Sequence, residues 1–376
     1  MTATSAPGLE TLPAPTAAPT AARVDDSGDE RAIKRNRVLE ILDRTGHESL
    51  LLTSNTAMTW YLGGSRLHIS LAGDPIAMLL VDRERDHLVT FNNEADRLIR
   101  EELPADVVVH PVPWHGSMHE VMSRLSPSQP LDEASVRREL RDARQSLLPA
   151  EVEQYAELNR EVAGALTDVL SAARPHTPER GIAAELGARV IAMGAEPLVL
   201  LCNGRERSAF RHPLPTSSPL GRRAMAVVCA RRRGMVANVT RWVRFDGSTA
   251  AERDAEARIA AVEADIFAAT VPGARLDGIF EVIHSSYAAH GFGPDQWRLH
   301  HQGGPAGYAG RDPRVTASTD DKVVPNQAFT WNPSGPGVKI EDTVLLTAEG
   351  IRVLSVDERW PTVEVNGLQR PMTLEI

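Results

Sequence analysis

Short apolar runs alternate with segments of helical periodicity in the first part of the chain. Near its start, Ile33, Val38, Ile41 and Leu42 follow the spacing of an amphipathic helix. Between about residues 49 and 132, the chain contains four apolar runs: SLLLTS, IAMLLVD, RDHLVTF and DVVVHPV. Two segments of helical periodicity alternate with them, EADRLIREEL before the fourth run and SMHEVMSRL after it. Short strands that alternate with helices are typical of an α/β layer. This part therefore predicts an α/β N-terminal domain.

A long amphipathic helix marks a second beginning. Pro149 stands where a helix starts, because the fixed φ of proline suits the first helical turn. Its apolar positions are Val152, Tyr155, Leu158, Val162, Leu166 and Leu170. A second helix is expected after it, with Thr177 as the N-cap before Pro178. Later runs such as AMAVVCAR, TRWVRFD and EDTVLLT predict antiparallel strands, so this half is expected to be an α+β domain.

These patterns divide the chain into three parts. Residues 1–30 are rich in Ala, Pro and Thr and then acidic, without an apolar period, which predicts a disordered tail. Residues 31–145 are expected to form the N-terminal domain. Residues 146–376 are expected to form the second, larger domain.

Composition excludes several classes of protein. The net charge of −9 disfavours nucleic-acid binding. Two cysteines, Cys202 and Cys229, are too few for a disulfide framework or a Cys-rich metal site. The chain contains no apolar run long enough to span a membrane, and its start does not read as a secretory signal. We therefore expect a cytoplasmic protein without membrane or nucleic-acid partners.

Two clusters of polar residues flank the predicted strands of the second half. His212 lies in the proline-rich stretch RHPLP, which favours a loop. Asn238 and Thr240 are expected on one face of a strand and Arg241 on the other. From the spacing alone, a surface-loop histidine and an ordinary strand entry are the better explanations of these residues.

A third cluster is the most site-like segment of the chain. In LHHQGGPAGYAGRD, His300 and His301 precede three closely spaced glycines, which permit a close approach of the backbone. Gln302, Tyr308 and Arg311 add donors, acceptors and a fixed positive charge. A glycine-rich turn with incidental polar residues remains the alternative. The spacing does not match a dinucleotide-binding fingerprint.

The fourth cluster joins two late strands. Trp331-Asn332-Pro333 closes one strand, and Ile340-Glu341-Asp342 opens the next. A carboxylate among apolar strand residues is expected to be partly buried, and a buried carboxylate needs a partner. Glu341 is therefore a candidate for a functional group.

In this order, the clusters resemble the creatinase/aminopeptidase P/prolidase family. The matching segments are RHPLP, NVTR, HQGG, TWNPSG and KIEDT. The resemblance covers about residues 30–365 and implies an α/β N-terminal domain followed by an α+β C-terminal domain with the pita-bread fold. It also implies a hydrolase, or a lyase with the same fold.

Metallopeptidases of this family hold two metal ions with two aspartates, one histidine and two glutamates. The resemblance places the histidine at His301 and the last glutamate at Glu341, but the second aspartate at Asn238 and the first glutamate at Asn332. The first aspartate, eleven residues before Asn238, falls on Val227; a gap would shift it to Cys229 or Ala230. Because divalent ions need anionic oxygen ligands, we expect neither a metal nor another cofactor.

The resemblance to creatinase, which acts on a C–N bond without metal, implies a metal-independent enzyme that uses His/Glu acid–base chemistry. His212 is expected to be the main general acid and base, with Glu341 orienting the substrate or His301. His301 and Tyr308 are expected to donate hydrogen bonds to developing charge. The expected substrate-binding residues of this domain are Asn238, Arg241, His300, Gln302, Arg311, Trp331 and Asn332.

Three alternatives remain open: a metallopeptidase with an altered site that cuts Xaa-Pro bonds, a non-catalytic binding protein, and a lyase in a biosynthetic pathway. The substrate is expected to be a small molecule or a short peptide. The resemblance also implies a homodimer in which the neighbour's N-terminal domain borders the site. Arg66 and His68, in WYLGGSRLHIS, are the candidates for that contribution, and an ordinary strand and loop explain them equally well.

Overall fold

The computed structural model describes residues 28–126 and 128–376. Residues 1–27, most of the expected tail, lie outside the described residues. Helix α1 begins at Gly28, so residues 28–30, which the composition assigns to the tail, are helical instead.

The first part of the chain forms one mixed sheet with helices packed against it. Its strands are β1 (Ser49–Leu52), β2 (Ala77–Asp82), β3 (Asp86–Phe91), β4 (Val108–Val112) and β5 (Leu131–Asp132), in the order β4-β3-β2-β1-β5. Its helices are α1 (Gly28–Thr45), α2 (Asn55–Tyr61), α3 (Asn92–Arg97), α4 (Met118–Leu125) and α5 (Arg137–Gln145), with a π-helical turn at Leu98–Glu102 and a 3₁₀ turn at Glu133–Val136. The first three strands run antiparallel, whereas β4 and β5 pair in parallel at the two edges. This arrangement agrees with the expected α/β layer.

The second part contains two larger sheets and four longer helices among its described residues. The helices are α6 (Pro149–Ala172), α7 (Glu179–Ala192), α8 (Ala250–Ala269) and α9 (Leu276–Ala289), with 3₁₀ turns at Arg205–Arg207 and Gln296–Leu299. The strands are β6 (Glu196–Gly204), β7 (Arg223–Arg232), β8 (Met235–Arg244), β9 (Gly303–Ala306), β10 (Ala328–Trp331), β11 (Ser334–Gly335), β12 (Val338–Lys339), β13 (Asp342–Thr347), β14 (Gly350–Val353), β15 (Thr362–Val365), β16 (Leu368–Pro371) and β17 (Leu374–Glu375). One sheet has the order β17-β8-β7-β6 and the other has the order β14-β13-β10-β9.

The helix starts agree only partly with the sequence. Helix α6 begins at Pro149, as predicted. Helix α7 begins at Glu179 with Pro178 at the N-cap, so Thr177 is not its cap. Instead, the Thr177 hydroxyl accepts a hydrogen bond from the backbone N–H of Arg174 in the preceding turn. The expected boundary between residues 145 and 146 falls in the short link between α5 and α6 and stays a prediction.

Helices cover the outer faces of both large sheets, which leaves the inner faces for polar residues. Helices α6 and α7 pack on alternate residues of β7 and β8, such as Val228 and Val239. Helices α8 and α9 pack on β10 and β13, where Phe329 and Val344 are buried. Because successive strand residues point to opposite faces, Asn238 and Thr240 lie on the inner face of β8.

Backbone and side-chain hydrogen bonds join the two sheets next to these residues. The Thr240 N–H donates to the Glu341 carbonyl (3.0 Å), and the Asn238 N–H donates to the Thr343 hydroxyl (3.0 Å). The segment that opens β13 is therefore held directly against β8. Among the described residues, no helix has the length and apolar character that crossing a membrane requires.

Candidate functional site

Three histidines from two distant segments meet at the edge of the inner face. His212 comes from the proline-rich loop between β6 and β7, and His300 and His301 come from the segment before β9. The Nε2 atoms of His212 and His300 lie 3.2 Å apart, so one of them carries a proton that the other accepts. The ring of His301 lies 4.5 Å from that of His300 and 6.0 Å from that of His212. The fold thus brings together histidines that the sequence places in separate clusters.

The residues on either side of His212 hold its loop in place through hydrogen bonds. The Arg211 guanidinium donates to the Gly335 carbonyl in β11 (2.9 Å), and the Pro213 carbonyl accepts from the Cys202 N–H in β6 (3.3 Å). His212 itself is exposed, whereas His300 is buried. His300 also has a second partner, because its Nδ1 lies 3.3 Å from the Ser334 hydroxyl. Ser334, His300 and His212 therefore form a chain of hydrogen bonds.

All three imidazoles are neutral at pH 7. Burial and the positive charge of Lys339 lower the pKa of His300 to about 3. Burial and the charge of Arg311 lower the pKa of His301 to about 4. The pKa of His212 also lies below its ordinary value, through partial burial and the charge of Lys339. A neutral imidazole can accept a proton, so the histidines suit a general base.

Glu341 is the carboxylate beside these histidines, and two cations bind it. Arg311 Nη2 lies 2.7 Å from Oε1, and Lys339 Nζ lies 2.7 Å from Oε2. The Thr240 hydroxyl also donates to Oε2 (2.6 Å). Burial alone would raise the pKa of Glu341, but Lys339 and Arg311 outweigh it and hold that pKa far below its usual value.

This geometry argues against a part for Glu341 in proton transfer, and its catalytic role stays a prediction. A carboxylate that stays ionised and is bound on both oxygens has no proton to give near neutral pH. Lys339, which the sequence analysis missed, is the second cation. The signal was available, since Lys339 and Glu341 are two residues apart and extended backbone places such residues on the same side.

The positions at which the family resemblance expects the two aspartates lie close together. In the antiparallel register of β7 and β8, Cys229 lies opposite Asn238, and Val227 lies opposite Thr240. Val227 and Cys229 therefore share the inner face with Asn238. Ala230 packs on the outer face against the helices, so it does not lie beside Asn238 on the inner face.

The two asparagines differ in how their amides are used. The Asn238 amide donates to the Val236 carbonyl (3.0 Å) and reaches the Thr330 hydroxyl (3.4 Å). Asn332 is buried, and its Oδ1 has no hydrogen-bond partner. Nδ1 of His301 and Nε of Arg311 are likewise buried without a partner. These unpaired atoms are places where a ligand could bind, because a buried polar atom without a partner is costly.

A small cavity of about 20 Å³ lies beside this group, lined by Arg211, His300, Ser334, Lys339 and neighbouring residues. Ligand pockets usually measure about 300–1,000 Å³. The cavity is far smaller than that range and has room for about one water molecule.

Three residues expected to bind substrate make contacts with other parts of the protein instead. Arg241 lies on the outer face of β8, where it binds Asp342 (2.8 Å). Gln302 donates to the His300 carbonyl (2.7 Å) and accepts from the Tyr287 hydroxyl, which fixes the histidine segment. Trp331 is fully buried in the apolar core and stacks on Phe329. Each of these residues supports the site without facing it.

Tyr308 is also placed away from the histidines. Its hydroxyl donates to the Glu151 carboxylate at the start of α6 (2.6 Å), and its ring packs in the core of the N-terminal part. The expectation that Tyr308 donates a hydrogen bond to developing charge stays a prediction, and in this arrangement its hydroxyl already donates to Glu151. Its contact instead ties the glycine-rich segment to the N-terminal part.

Arg66 and His68 form contacts within the chain. Arg66 binds Glu102 (2.6 Å), and His68 Nε2 lies 2.7 Å from Glu196 at the start of β6. The Arg231 guanidinium also reaches His68 (3.4 Å). The two contacts of His68 hold the loop after α2 against the second part of the chain, whereas the Arg66 pair lies within the N-terminal part. A contribution of these residues to a neighbouring subunit stays a prediction.

The donor set does not fit a pair of divalent ions. Val227, Asn238 and Asn332 supply no carboxylate, and Glu341 already carries two protein cations in the place where a metal would bind it. Within the described part of the chain, the histidine ligand atoms lie within 4.8 Å of one another, a spacing that a single ion could use. Lys339 and Arg311 oppose a further cation there, since both lower histidine pKa values through their charge.

The sequence profile of metallopeptidase family M24 matches residues 153–348, which is more than half of the chain. The chain belongs to this family. The match confirms the predicted family and the pita-bread fold, and it supports a hydrolytic enzyme.

Solved structures show the same two-part architecture. A prolidase from Pyrococcus horikoshii OT3 superposes with a TM-score of 0.71 at 18% identity, over 87% of this chain and 99% of its own. Dipeptidase PepE from Mycobacterium ulcerans gives a TM-score of 0.73 at 14% identity, over 93% and 99%. The N-terminal domain of FACT complex subunit SPT16 from Cicer arietinum gives 0.62 at 11% identity, over 87% and 96%. By sequence comparison, no curated protein matches the chain.

Proposed function

We propose that the chain is a metal-independent hydrolase that cleaves a C–N bond of a small molecule or short peptide. The observation that carries this proposal is the state of Glu341. The carboxylate is bound by Lys339 and Arg311 at 2.7 Å each, in a site where three expected carboxylates are replaced by Val227, Asn238 and Asn332. Protein cations thus supply the positive charge that metal ions would otherwise provide.

His212 is the catalytic base in this proposal. It is exposed, its imidazole is neutral at pH 7, and its Nε2 is 3.2 Å from that of His300. As water attacks the carbon of the scissile bond, His212 takes its proton. The same proton then passes to the leaving nitrogen as the C–N bond breaks. His300 and Ser334 fix the orientation and tautomer of His212.

The remaining groups position the substrate. His301, with its unpaired Nδ1, and Asn332, with its unpaired Oδ1, offer hydrogen bonds to it. Glu341 acts by holding Lys339 and Arg311 in place, and Asn238 supports the inner face through its bonds to Val236 and Thr330. Arg241, Gln302, Trp331 and Tyr308 have structural roles.

The experiment that tests this function is an assay of the full chain in the presence of a strong chelator. Three substrate types are compared: a guanidino acid, a simple amide and the dipeptide Ala-Pro. The proposal expects turnover of at least one type, unaffected by the chelator and lost in His212→Ala. Turnover that requires added Mn²⁺ or Zn²⁺ would instead support a metallopeptidase with an altered site.

A second candidate is a binding protein without catalysis. One observation favours it: the N-terminal domain of a FACT complex subunit shares this fold at a TM-score of 0.62. Ligand binding without turnover in the same assay would support this candidate. The homodimer and the cytoplasmic location remain proposals that derive from the family resemblance and from composition.

A further inference from the structure

Cations outnumber the carboxylate at the centre of the site. Lys339 and Arg311 both contact Glu341, and all three side chains are at least nine-tenths buried. Arg314 is exposed but close enough to lower the pKa of His212 and His301 through its charge. Lys339 and Arg311 thus share one carboxylate, and the neighbouring histidines are neutral. The pocket carries an excess of positive charge that the described side chains leave uncompensated.

The same cations have hydrogen-bonding capacity to spare. A lysine ammonium has three donors, and Glu341 takes one of those of Lys339. Nε of Arg311 is buried and has no hydrogen-bond partner. Donors fixed in a buried site and attached to positive charge are suited to bind an anionic oxygen group.

The position of these cations makes the site selective. A divalent metal near Glu341 would have to displace Lys339 or Arg311, or lie against both. An anion meets the opposite situation, since Lys339 lines the cavity next to His300 and Ser334. The charge that disfavours a metal therefore favours an anionic ligand.

We propose that Lys339 and Arg311, held by Glu341, form an anion-binding subsite that takes an anionic oxygen group of the substrate, a carboxylate above all. This inference rests on the proposed function, in that the same pocket holds the substrate. It names the substrate class: a small molecule in which an acidic group lies close to the bond that is cleaved. Lys339 and Arg311 then orient that bond towards His212.

Bromide provides a test that needs no turnover. Crystals of the full chain are soaked separately with bromide and with Mn²⁺, and anomalous difference maps locate each ion. The expected result is a bromide ion in contact with Lys339 or Arg311 and no Mn²⁺ at Glu341. Bromide confined to the outer surface, or Mn²⁺ bound at Glu341, would overturn the inference.

Variants assign the binding to these cations. Lys339→Met should abolish or strongly reduce bromide occupancy at this place. Arg138→Met, which removes an exposed cation paired with Asp320, should leave it unchanged. Unchanged occupancy in Lys339→Met would contradict the assignment. If that variant does not fold, the soaks of the unmodified chain still decide the question.

The outcome separates this inference from the proposed function. Bromide in the subsite without turnover of any C–N substrate contradicts the function and leaves the subsite intact. Turnover in chelator without bromide at Lys339 or Arg311 contradicts the subsite alone.

Discussion

Lys339 Nζ lies 2.7 Å from Oε2 of Glu341, with only Ile340 between them in the chain. Glu341 is the one carboxylate that the family resemblance places among the metal ligands. In this chain it binds a protein cation instead. Arg311, thirty residues earlier, binds the other oxygen at 2.7 Å. The centre of the site is therefore an ion cluster made entirely of side chains.

The cluster makes Glu341 important for stability. Glu341→Gln removes the negative charge and leaves two buried cations without their partner. Breaking a buried ion pair in this way typically costs about 3–5 kcal/mol, which denaturant unfolding would detect. Glu349→Gln, at an exposed position, should change the free energy of unfolding by less than about 0.5 kcal/mol. Equal effects of the two substitutions would argue against the cluster.

His212 should control the rate without controlling stability. Loss of a general base lowers kcat by about 10²–10⁴-fold, and His212→Ala should show that loss once a substrate is identified. Because the side chain is exposed, the melting temperature should change little. The control is the exposed His176, whose replacement by Ala should leave kcat unchanged. A loss of stability that parallels the loss of rate would point to a structural role.

The rate should also fall on the acid side of neutrality. The pKa of His212 lies below its ordinary value of 6.5, so the neutral base predominates at pH 7. As the pH decreases through that lowered pKa, the imidazole gains a proton and can no longer accept one from water. The kcat/KM profile should therefore have an acid limb below the usual histidine range. A pH-independent profile from pH 7 down to pH 4 would contradict this role.

His300 should make stability depend on pH. The unfolded chain protonates this imidazole near pH 6.5, whereas burial keeps its folded-state pKa at about 3. Between these values the unfolded state binds more protons, so stability falls as the pH decreases from 6.5, by up to about 1.4 kcal/mol per pH unit for one group. His300→Gln should flatten that slope between pH 6.5 and pH 5. A slope in His300→Gln equal to that of the parent would contradict this account.

Tyr308 distinguishes a structural role from a catalytic one. Tyr308→Phe removes a buried hydrogen bond to Oε1 of Glu151, and this oxygen keeps its ion pair with Lys34 (3.0 Å). The change should therefore cost about 0.5–1.5 kcal/mol of stability. The kcat of the folded variant should stay within about twofold of the parent. A selective loss of kcat with unchanged stability would restore the role that the sequence pattern suggests.

The sequence predicts the fold well because its signals are local and ordered. Pro149 and the apolar period after it locate α6, and the short motifs from RHPLP to KIEDT occur in the family's order. The alternation along β8 also places Asn238 and Thr240 on one face, as the structure shows.

The partners of individual side chains depend on contacts between distant segments, which the sequence pattern does not contain. Tyr308 lies five residues after Gly303, yet its hydroxyl binds Glu151, 157 residues earlier in the chain. Arg241 and Trp331 stand next to candidate site residues in the sequence. In the folded chain, however, Arg241 pairs with Asp342 and Trp331 stacks on Phe329, so both side chains lie in packed regions. Lys339 escaped notice because its role depends on Arg311 binding the same carboxylate from another loop.

The central claim, that protein cations replace metal ions in this site, is tested most directly by calorimetric titration of the purified, chelator-treated full chain with Mn²⁺ and Zn²⁺. The account predicts no stoichiometric binding of either ion at pH 7. The titration heats of Glu341→Gln should therefore equal those of the unmodified chain. Tight binding of two ions per chain that is lost in Glu341→Gln would contradict it.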